Sequence, residues 1–321
     1  MCETLPGAGL YHSDRWLGLL NRALGLRLWI ATIQRQSDVR AACVLGQTRN
    51  PFGKTLASLP FSDFCPPLAT DEQAQSALLE GLARNLGRPC EIRGVAGPHP
   101  WQTVGCFQLW SLDLARPLAA IERTVNGGLR RKIRRAGEAG VEISHGQSRQ
   151  HLERYYALHA ETRYRQGIPT QPMRLFTALR ENFSAQDSLQ VWLASSKGAD
   201  VAGIILLRDR DQLYYKWGAR RLAAPVGASH MLMWEVIRAN AGRARTFDLG
   251  RADVTNRGLA QFKKEVGGSA TELPYSFFPT APQHISAESL TGLRKTLSQV
   301  WSRLPFGIAT GLGGLLYPYL G

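Results

Sequence analysis

Three segments rich in apolar residues between residues 189 and 217 predict three strands in succession. The strands are separated by the polar turn sequences SSKGAD and DRD, and they cover Leu189 to Ala194, Val201 to Leu207 and Gln212 to Trp217. A loop then leads into a predicted helix from Ser229 to Ala241, with Ser229 as a suitable N-cap and Gly242 as a stop. A strand, a short helix and a final strand follow, so this part of the chain is predicted to form mixed α/β structure.

The first 118 residues carry both helical and strand-like spacing of apolar residues. Trp16, Leu17, Leu20 and Leu24 recur at helical spacing behind the N-cap Ser13. Further elements are predicted in the same way: strands at Leu28 to Ile33, Arg40 to Leu45, Cys90 to Gly94 and Phe107 to Leu112, and a helix at Glu72 to Leu86. This half is therefore predicted as another mixed α/β unit, and it contains no recognisable nucleophile motif.

A strongly basic stretch, LRRKIRRAGEAG from Leu129 to Gly140, separates the two halves. Apolar residues recur every fourth position and predict one helix with a narrow apolar stripe, formed by Ile121, Val125, Leu129 and Ile133. Two interpretations of the charge remain open: a solvated face of a linker helix, or a seat for phosphate groups that uses Arg131 and Arg135. The predicted domains are 1–118, the basic linker helix 119–140, a second domain 141–280 and a tail 281–321.

Composition adds the charge to this picture. The chain has 321 residues, enough for two domains of ordinary size, with a formal net charge of +14 and a pI near 10. This balance favours an anionic partner, such as a phosphate-bearing cofactor, a nucleic acid or the acidic inner face of a membrane, without choosing among them. Hydrophobic residues make up 44% of the chain, so packed cores are expected.

Several kinds of site and segment are not expected. The five cysteines are scattered, and no pair has CxxC spacing, so neither a zinc site nor a disulfide framework is indicated. His151 and His159 lack a third partner, so no metal is expected. The N-terminus lacks the basic start and apolar core of a signal peptide, and no apolar run of about 18 residues occurs, which together favour a cytoplasmic protein.

The tail from Ile285 to Gly321 begins as a predicted polar helix and ends in the apolar, glycine-rich sequence WSRLPFGIATGLGGLLYPYLG. Pro305, Pro318 and the glycines argue against a membrane-spanning helix. Two interpretations remain: the tail packs on the body of the protein, which we favour, or it rests on the inner membrane as a peripheral contact.

Candidate chemistry lies in residues 246–268, TFDLGRADVTNRGLAQFKKEVGG. A short strand is predicted to end before Gly250, and a polar loop separates it from a short helix at Gly258 to Val266. Strand ends in α/β sheets are common places for chemistry. Three charged residues are thus expected near one strand end: Asp248, Arg251 and Lys263. The alternative is an ion pair of Asp248 with Arg251 that only closes the loop.

These motifs resemble those of bacterial FemAB-like proteins, whose fold is of the GNAT acetyltransferase type. FDLGR followed by GLAQFKKEVGG is similar to their C-terminal signature, and SLPFSDFCPP at Ser58 to Pro67 is similar to a stretch of their N-terminal domain. The run from Asn126 to Val141 is similar to their inter-domain helix, and TRYRQGIP to a loop near their acceptor site. The resemblance implies tandem GNAT-like domains: an α/β (α+β) fold of mixed, mostly antiparallel sheets flanked by helices and joined by the basic helix.

The resemblance also implies an acyl donor. In a GNAT fold, the loop before the helix cradles the pyrophosphate of acyl-CoA, for example acetyl-CoA, with backbone N–H groups and the positive helix end. The usual sequence of that loop in the family is Arg or Gln, two residues, Gly, one residue, and then Gly or Ala. The loop here, RRLAAPVGAS, matches this pattern only in part, because Arg220 and Arg221 lie too far upstream and Pro225 interrupts it. A donor other than CoA therefore stays open. The cofactor-binding candidates are Arg220, Gly227, Ala228 and Ser229, with Arg131 and Arg135 of the basic helix.

Direct attack of the acceptor on the donor in a ternary complex is expected, because no Ser–His–Asp order, Cys–His pair or paired carboxylates stand out. The catalytic candidates are Asp248, as the base or the group that orients the nucleophile, and Tyr215 with Lys216, as groups that polarise the acyl carbonyl or bind phosphate. The acceptor-binding candidates are Arg251 and Lys263 for its negative charge, and Arg163 and Tyr164 in the loop that resembles the family's acceptor loop.

The resulting expectation is an acyl- or aminoacyltransferase with a small-molecule or lipid-linked saccharide acceptor in cell-envelope or exopolysaccharide synthesis, on resemblance alone. Two alternatives stay open. One is a tRNA-dependent aminoacyltransferase, for which no dedicated RNA-binding motif is visible. The other is a non-catalytic protein that binds an anionic glycan or lipid on the same fold. DNA is not an expected partner.

Overall fold

The computed structural model of the chain describes residues 4–47, 55–125, 127–281 and 301–320. The chain forms two compact units. The first comprises Met1–Gln108, Glu272–Thr296 and Gly314–Gly321, and the second comprises Leu109–Thr271 and Leu297–Gly313. The polar helix predicted from residue 285 onwards lies outside the described residues as far as residue 300.

Helices and strands alternate from the first residues onwards. In chain order they are a 3₁₀ helix at Leu10–His12, α1 (Asp14–Leu24), β1 (Leu28–Arg35), β2 (Asp38–Gln47), β3 (Leu56–Ser58), β4 (Leu68–Ala69), α2 (Glu72–Asn85), β5 (Cys90–Arg93), β6 (Gln102–Asp113), α3 (Leu118–Thr124) and α4 (Gly127–Glu138). The helix predicted at Asp14 to Leu24 is confirmed, with Ser13 capping it through a hydrogen bond from the Trp16 amide.

From β8 to β12 the later elements follow the order predicted from the sequence. They are β7 (Val141–Gly146), α5 (Arg149–Arg165), α6 (Met173–Asn182), β8 (Leu189–Ser196), β9 (Ala199–Asp209), β10 (Gln212–Arg220), α7 (Ala228–Asn240), β11 (Thr246–Asp253), α8 (Arg257–Glu265), β12 (Ser269–Phe278), α9 (Phe306–Leu316) and a 3₁₀ helix at Tyr317–Tyr319. Helices α6 and α9 were not predicted from the sequence. None of the helices in the described ranges combines the length and the apolarity that crossing a membrane requires.

In the first unit, a mixed sheet has the strand order β1-β2-β3-β5-β12, and β4 also pairs with β2. The neighbouring strands are antiparallel except for β3 and β5, which are parallel. Helix α2 buries Leu78, Leu79 and Leu82 in a core that includes Leu45 and Ile92 of the strands. Burial of this kind is the main stabilising term of such a layer.

The loop that carries SLPFSDF is held by buried hydrogen bonds. The Trp16 indole donates to Ser62 Oγ at 2.8 Å. The Arg93 guanidinium donates to the carbonyl oxygens of Leu59 and Ser62 at 3.0 and 2.8 Å. The loop is therefore held in a non-helical shape by buried hydrogen bonds to its own backbone and side chains.

In the second unit, the strand order is β6-β11-β10-β9-β8-β7. β7 to β10 are antiparallel neighbours, whereas β10 and β11 are parallel. Gln212 to Trp217 pairs with β9, so the predicted meander is confirmed. A single sheet with mostly antiparallel strands and helices against it is the predicted fold class.

Helix α7 supplies much of the core of the second unit. Its apolar residues recur at helical spacing and are all buried: Leu232, Met233, Val236 and Ile237. They pack with Ile204, Leu206 and Phe247 of the neighbouring strands. The sheet thus fixes the direction of α7 and, with it, the position of its first turn.

The predicted basic linker helix, 119–140, is two helices in the structure, although its apolar stripe predicted one. α3 ends at Thr124, and Val125 has extended backbone angles (φ −70°, ψ 119°). Gly127 and Gly128 open α4, and glycine is a poor residue for a helix interior. Leu129 and Ile121 are nevertheless both buried, so the stripe marks the side of each helix that faces the core.

Candidate functional site

Strands β10 and β11 separate after a short paired region. They pair only through Gln212, Leu213 and Tyr214 with Thr246, Phe247 and Asp248. Both strands then continue, β10 as far as Arg220 and β11 as far as Asp253. β10 also carries an irregularity in its pairing with β9 between Tyr215 and Trp217. Such a bulge re-aims side chains, and here it lies where the two parallel strands diverge.

A cavity of about 470 Å³ lies beside these diverging strands. Its wall is built by α4, the end of α5, the middle of β9, the end of β10, the loop before α7, the first turns of α7, and α8. The lining residues are Lys132, Thr162, Arg165, Gln166, Ala202, Gly203, Ile204, Tyr215, Gly218, Ala219, Arg220, Val226, Gly227, Ser229, His230, Leu232, Leu259 and Phe262. Cavities of this size with a few polar groups are the usual form of a small-molecule site.

The first turn of α7 points into this cavity. Gly227 is the N-cap of the helix, in the left-handed region with φ +89°, and no side chain caps the helix. A Cβ at Gly227 would lie 1.9 Å from the carbonyl oxygen of Lys132, so only glycine fits between α7 and α4. Ser229 was predicted as the N-cap, but it lies in the first turn and lines the cavity. The uncapped amides of a helix start form a site for an anion.

The loop before α7 brings Arg220 into the cavity from further back in the chain. The Arg220 guanidinium donates to the carbonyl oxygen of Ala224 at 3.3 Å, which folds the side chain along the loop. Its backbone is fixed in turn, because Thr162 Oγ1 and Arg165 both donate to the Arg220 carbonyl oxygen. Arg220 therefore lies with the α7 start despite the sequence distance that separates them.

Three ionisable side chains meet at the edge of the cavity and form what we call the Lys132–Glu265–His230 cluster. Lys132 Nζ donates to Glu265 Oε2 at 2.5 Å, and His230 Nε2 lies 2.9 Å from the same oxygen. Gln261 Nε2 donates to the other carboxylate oxygen at 3.1 Å. The three members come from α4, α8 and α7. Two of them, Lys132 and His230, line the cavity.

The cluster keeps Glu265 charged and His230 neutral. Burial alone would raise the pKa of Glu265, but hydrogen bonds from Lys132, Gln261 and His230 lower it to about 2. Burial lowers the pKa of His230 below its ordinary value, and the positive charge of Lys132 lowers it further. The hydrogen bond to Glu265 acts in the opposite direction and raises it. A neutral His230 that donates from Nε2 to Glu265 has its proton-accepting nitrogen at Nδ1.

Tyr215 lines the cavity beside the bulge of β10. Its hydroxyl occupies the space next to Gly218, where a Cβ would lie 1.8 Å from the Tyr215 oxygen. Burial raises the pKa of Tyr215 to about 12, with the nearby Arg163 charge opposing the rise. The phenol thus keeps its proton at neutral pH, and it can serve as a hydrogen-bond donor.

The buried face of α5 supports Tyr215 from behind. Tyr155, His159 and Phe176 of α6 pack through their rings, and Phe176 also contacts Trp217 of β10. His159 Nε2 donates to Gln171 Oε1 at 2.6 Å, and His159 Nδ1 lies 3.3 Å from the Tyr155 hydroxyl. His159 is fully buried, so it is a packing residue with satisfied hydrogen bonds.

We expect His159 to make the protein sensitive to acid. Burial lowers the pKa of His159 to about 3, with the Arg163 charge contributing and the Gln171 bond opposing. As pH falls below about 6.5, His159 takes up a proton in the unfolded chain but stays neutral in the folded chain. The free energy of unfolding is therefore highest above that pH and decreases as pH falls. The loss at pH 5 should be about 2 kcal/mol.

The measurement is the free energy of unfolding by urea at pH 7 and pH 5 for wild type and His159→Gln. The variant keeps a polar side chain but cannot titrate, so its loss should be smaller by that amount. His12 is also buried with a lowered pKa and is present in both proteins, so it cancels. Equal pH dependence in the two proteins would show that His159 is not the cause.

The side chains of Asp248 and Lys263 both hold the backbone of β11 around Gly250, and Arg251 takes part through its carbonyl oxygen. The strand does not end at Gly250 as predicted; it runs on to Asp253, with Gly250 at φ +78°. Asp248 Oδ1 accepts from the Gly250 amide at 2.7 Å. Lys263 Nζ donates to the carbonyl oxygens of Gly250 and Arg251 at 2.7 and 2.8 Å. Asp248 and Lys263 are both buried, and none of the three lines the cavity.

The other predicted residues divide between the cavity and its surroundings. Tyr215, Arg220, Gly227 and Ser229 line it, and Ala228 is buried in the same first turn of α7. Lys216 does not line it; its Nζ lies 5.6 Å from the centre of the Trp217 ring. Arg163 is half-buried near Tyr215, and the Tyr164 hydroxyl donates to the carbonyl oxygens of Ser302 and Leu304.

The basic helix faces the cavity through a residue that was not chosen from the sequence. Arg131 and Arg135 are exposed and lie outside the cavity lining, whereas Lys132 between them lines it. Helical geometry provides the signal that was available: α4 buries Leu129 and Ala136, and Lys132 lies on the same side. His230 and Glu265 carried no motif, and their pairing depends on the fold. In the described part of the chain, no group of three or more His, Cys, Asp or Glu side chains could hold a metal ion.

Comparison with known protein families gives one match. The family described as "Acetyltransferase (GNAT) domain" matches residues 124–264. This range begins just before α4 and ends at the last turn of α8, so it contains nearly all of the cavity wall. A comparison with curated proteins gave no match.

Solved structures share the fold at low sequence identity. FemX is 14% identical over 91% of this chain and 96% of its own, with a TM-score of 0.63. The C-terminal domain of a presumed lysylphosphatidylglycerol synthetase from Agrobacterium fabrum is 14% identical over 88% and 90%, with a TM-score of 0.55. L-PGS from Bacillus licheniformis is 13% identical over 91% and 97%, with a TM-score of 0.53. The protein thus shares the fold of FemX, as its FemAB-like motifs predicted, and its residues 124–264 match the acetyltransferase (GNAT) domain family.

Proposed function

We propose that the protein transfers an acyl or aminoacyl group from an activated donor to an amine or hydroxyl of a cell-envelope or exopolysaccharide-related acceptor. Both substrates are bound together, and the acceptor attacks the donor directly. The observation that supports this most is the cavity beside the diverging strands β10 and β11, which the uncapped start of α7 enters. The acceptor class rests on the family resemblance and on the lysylphosphatidylglycerol synthetase named among the structural neighbours.

The donor end of the cavity suits a phosphate-bearing group. The amides of the first turn of α7 point toward it, and glycine at position 227 lets that turn lie directly against the backbone of α4. Arg220, Arg165 and Lys132 add positive charge to the same wall. These residues fit the pyrophosphate of acyl-CoA. Arg220, which is held along the loop by its bond to the Ala224 carbonyl oxygen, takes the place of the Arg or Gln of the usual loop sequence. A bound acyl-CoA would supply the thioester carbonyl that the acceptor attacks.

Within this proposal His230 is the proton acceptor. It is neutral at pH 7, its Nε2 is held by Glu265, and it lines the cavity. Fixing one nitrogen to a carboxylate orients the ring and stabilises the imidazolium that forms, as in other carboxylate–histidine pairs. Tyr215 is the donor on the opposite side, where its protonated hydroxyl can stabilise negative charge on the carbonyl oxygen or return a proton to the leaving group. Asp248, Arg251 and Lys263 then act by holding the shape of β11.

Donor binding tests this arrangement with a matched pair of arginines. Arg220 lines the cavity, whereas Arg221 pairs with Glu161 at 3.0 Å and does not line it. Arg220→Gln should weaken binding of acetyl-CoA or a longer acyl-CoA at least tenfold, and Arg221→Gln should change it less than twofold. Thermal shift and calorimetry give the affinities, and a ligand at about 100 times its Kd should stabilise wild type by roughly 2.7 kcal/mol.

The same screen includes aminoacyl-tRNA with and without ribonuclease. Stabilisation or turnover with aminoacyl-tRNA alone would replace acyl-CoA as the donor but retain acyl transfer. Transfer of a radiolabelled acyl group to a cell-envelope extract identifies the acceptor class by the fraction that becomes labelled. Binding without turnover by any donor, in every acceptor fraction, would overturn the enzymatic proposal and favour the non-catalytic binding protein.

A further inference from the structure

Helix α9 has an apolar outer side that the described residues leave exposed. Its sequence is FGIATGLGGLL, without a charged residue. Ile308 and Leu312 are 53% and 40% exposed. A surface helix of a globular protein normally turns polar residues outward. An apolar side of this kind marks an interaction surface.

The opposite side of α9 packs on the second unit through small residues. Ala309 and Gly313, one turn apart, are its buried residues. A Cβ at Gly313 would lie 2.5 Å from the Thr170 amide nitrogen, so α9 lies directly on the backbone between α5 and α6. The turn before α9 is fixed as well, because Tyr164 donates to the carbonyl oxygens of Ser302 and Leu304 and its ring contacts Phe306 at 5.4 Å. The tail therefore packs on the body, as favoured from the sequence, and yet presents an apolar surface.

The segments next to α9 carry more basic than acidic residues, and the acids just outside the two ends of the first segment are Glu161, which pairs with Arg221, and Glu181. Residues 162–180, which include the backbone under α9, contain Arg163, Arg165, Arg174 and Arg180 and no Asp or Glu. Residues 301–321 contain Arg303 and no acidic residue. Arg165, Arg174, Arg180 and Arg303 are exposed. Apolar side chains with a basic surround match a bilayer surface, whose acyl boundary takes the former and whose anionic headgroups attract the latter.

We propose that α9 docks the protein on an anionic lipid bilayer, with Ile308 and Leu312 entering the acyl boundary and the exposed arginines of the neighbouring segments contacting headgroup phosphates. Arg165 belongs both to this basic surround and to the cavity wall. The bilayer then lies beside the cavity, within reach of an acceptor that is itself anchored in lipid. Docking uses none of the residues assigned to proton transfer, so it is tested separately from turnover.

Flotation with vesicles tests the docking. Wild type should float with vesicles of phosphatidylglycerol and phosphatidylcholine and should do so at least tenfold less with phosphatidylcholine alone or at high salt. Ile308→Asp and Leu312→Asp should each lower binding to the mixed vesicles at least tenfold. The matched control is Ile30→Asp, an equally exposed isoleucine of β1 at 45%, which should bind as wild type does. Arg174→Gln with Arg180→Gln should lower the preference for phosphatidylglycerol and leave melting unchanged.

Several outcomes would overturn the proposal. Wild type that does not float means that something else covers α9. Equal flotation of Ile308→Asp and Ile30→Asp removes α9 from the contact, and equal flotation on the two vesicle types removes the anionic headgroups. Self-association of wild type that Ile308→Asp abolishes, without flotation, assigns the surface to a second copy of the chain.

Discussion

Replacing His230 with glutamine should lower kcat by about 100-fold or more at pH 7, the scale of one lost general base. Glutamine keeps a polar side chain beside Glu265, so the helix start should hold and the melting temperature should stay within a few degrees. The Michaelis constant for the donor should change little, because the donor is bound by the first-turn amides and by Arg220. The measurement is steady-state kinetics with the donor that the binding screen selects.

The pH profile separates a base from a structural residue. Activity of wild type should fall on the acid side as His230 takes up a proton, with a midpoint below pH 6.5 because its pKa is lowered. Glu265 opposes that lowering, so Glu265→Gln should move the midpoint further toward acid. Unchanged kcat in His230→Gln, or an acid limb that persists in that variant, would return the role of base to another group, with Asp248 as the first to examine.

Replacing Lys263 with alanine should destabilise the protein by about 3 kcal/mol or more, because two buried carbonyl oxygens lose their donor together. These are the carbonyl oxygens of Gly250 and Arg251, which Lys263 Nζ holds at 2.7 and 2.8 Å. The specific activity of the folded fraction should stay near that of wild type, since Lys263 does not line the cavity. Urea unfolding and activity per folded molecule give the two quantities.

The neighbouring lysine provides the control. Lys264 is exposed on the same helix, so Lys264→Ala should leave stability within about 0.5 kcal/mol of wild type. A Lys263→Ala protein that melts as wild type does, while its Michaelis constant for the acceptor rises, would contradict this structural role of Lys263. That result would support the hypothesis drawn from the sequence, in which Arg251 and Lys263 hold the acceptor's negative charge.

The fold could be predicted from the sequence where local pattern and tertiary structure agree. The strands of the meander are runs of mostly apolar residues that the sheet buries almost entirely, and turn residues separate them, so the strands and their limits were visible in the chain. Boundaries were less reliable where a glycine has two uses. Gly250 was predicted to end β11, yet the strand continues through it with Gly250 in a left-handed conformation. Asp248 accepts from the Gly250 amide, and Lys263 donates to the Gly250 carbonyl oxygen. The start of α7 was placed at Ser229, because a serine N-cap is common, whereas Gly227 serves there.

The candidate site was harder to predict because its members come from distant parts of the chain. The glycine of RRLAAPVGAS identified this loop, and Arg220 was included although it lies too far before that glycine for the usual loop sequence. The bond from the Arg220 guanidinium to the Ala224 carbonyl oxygen explains how this side chain reaches the cavity. Lys132 lies inside an unbroken run of basic or apolar residues from Leu129 to Ala136, and only the packing of α4 selects it over Arg131 and Arg135. His230 and Glu265 are 35 residues apart and are joined by helix packing, which no spacing rule expresses.

The close approach of Gly227 to the Lys132 carbonyl bears on where the transferase domain begins. A fragment that started at Val141, the sequence-based start of the second domain, would lack α4 and would leave the first turn of α7 without the backbone on which it rests. It would also lose the Lys132 partner of Glu265, so the carboxylate would lose its strongest hydrogen bond. Truncation at that point removes the α4 side of the cavity next to the start of α7, although every strand of the meander remains. The shortest autonomous transferase domain therefore has to include the basic helix, which makes that helix a part of the catalytic body and not a tether to it.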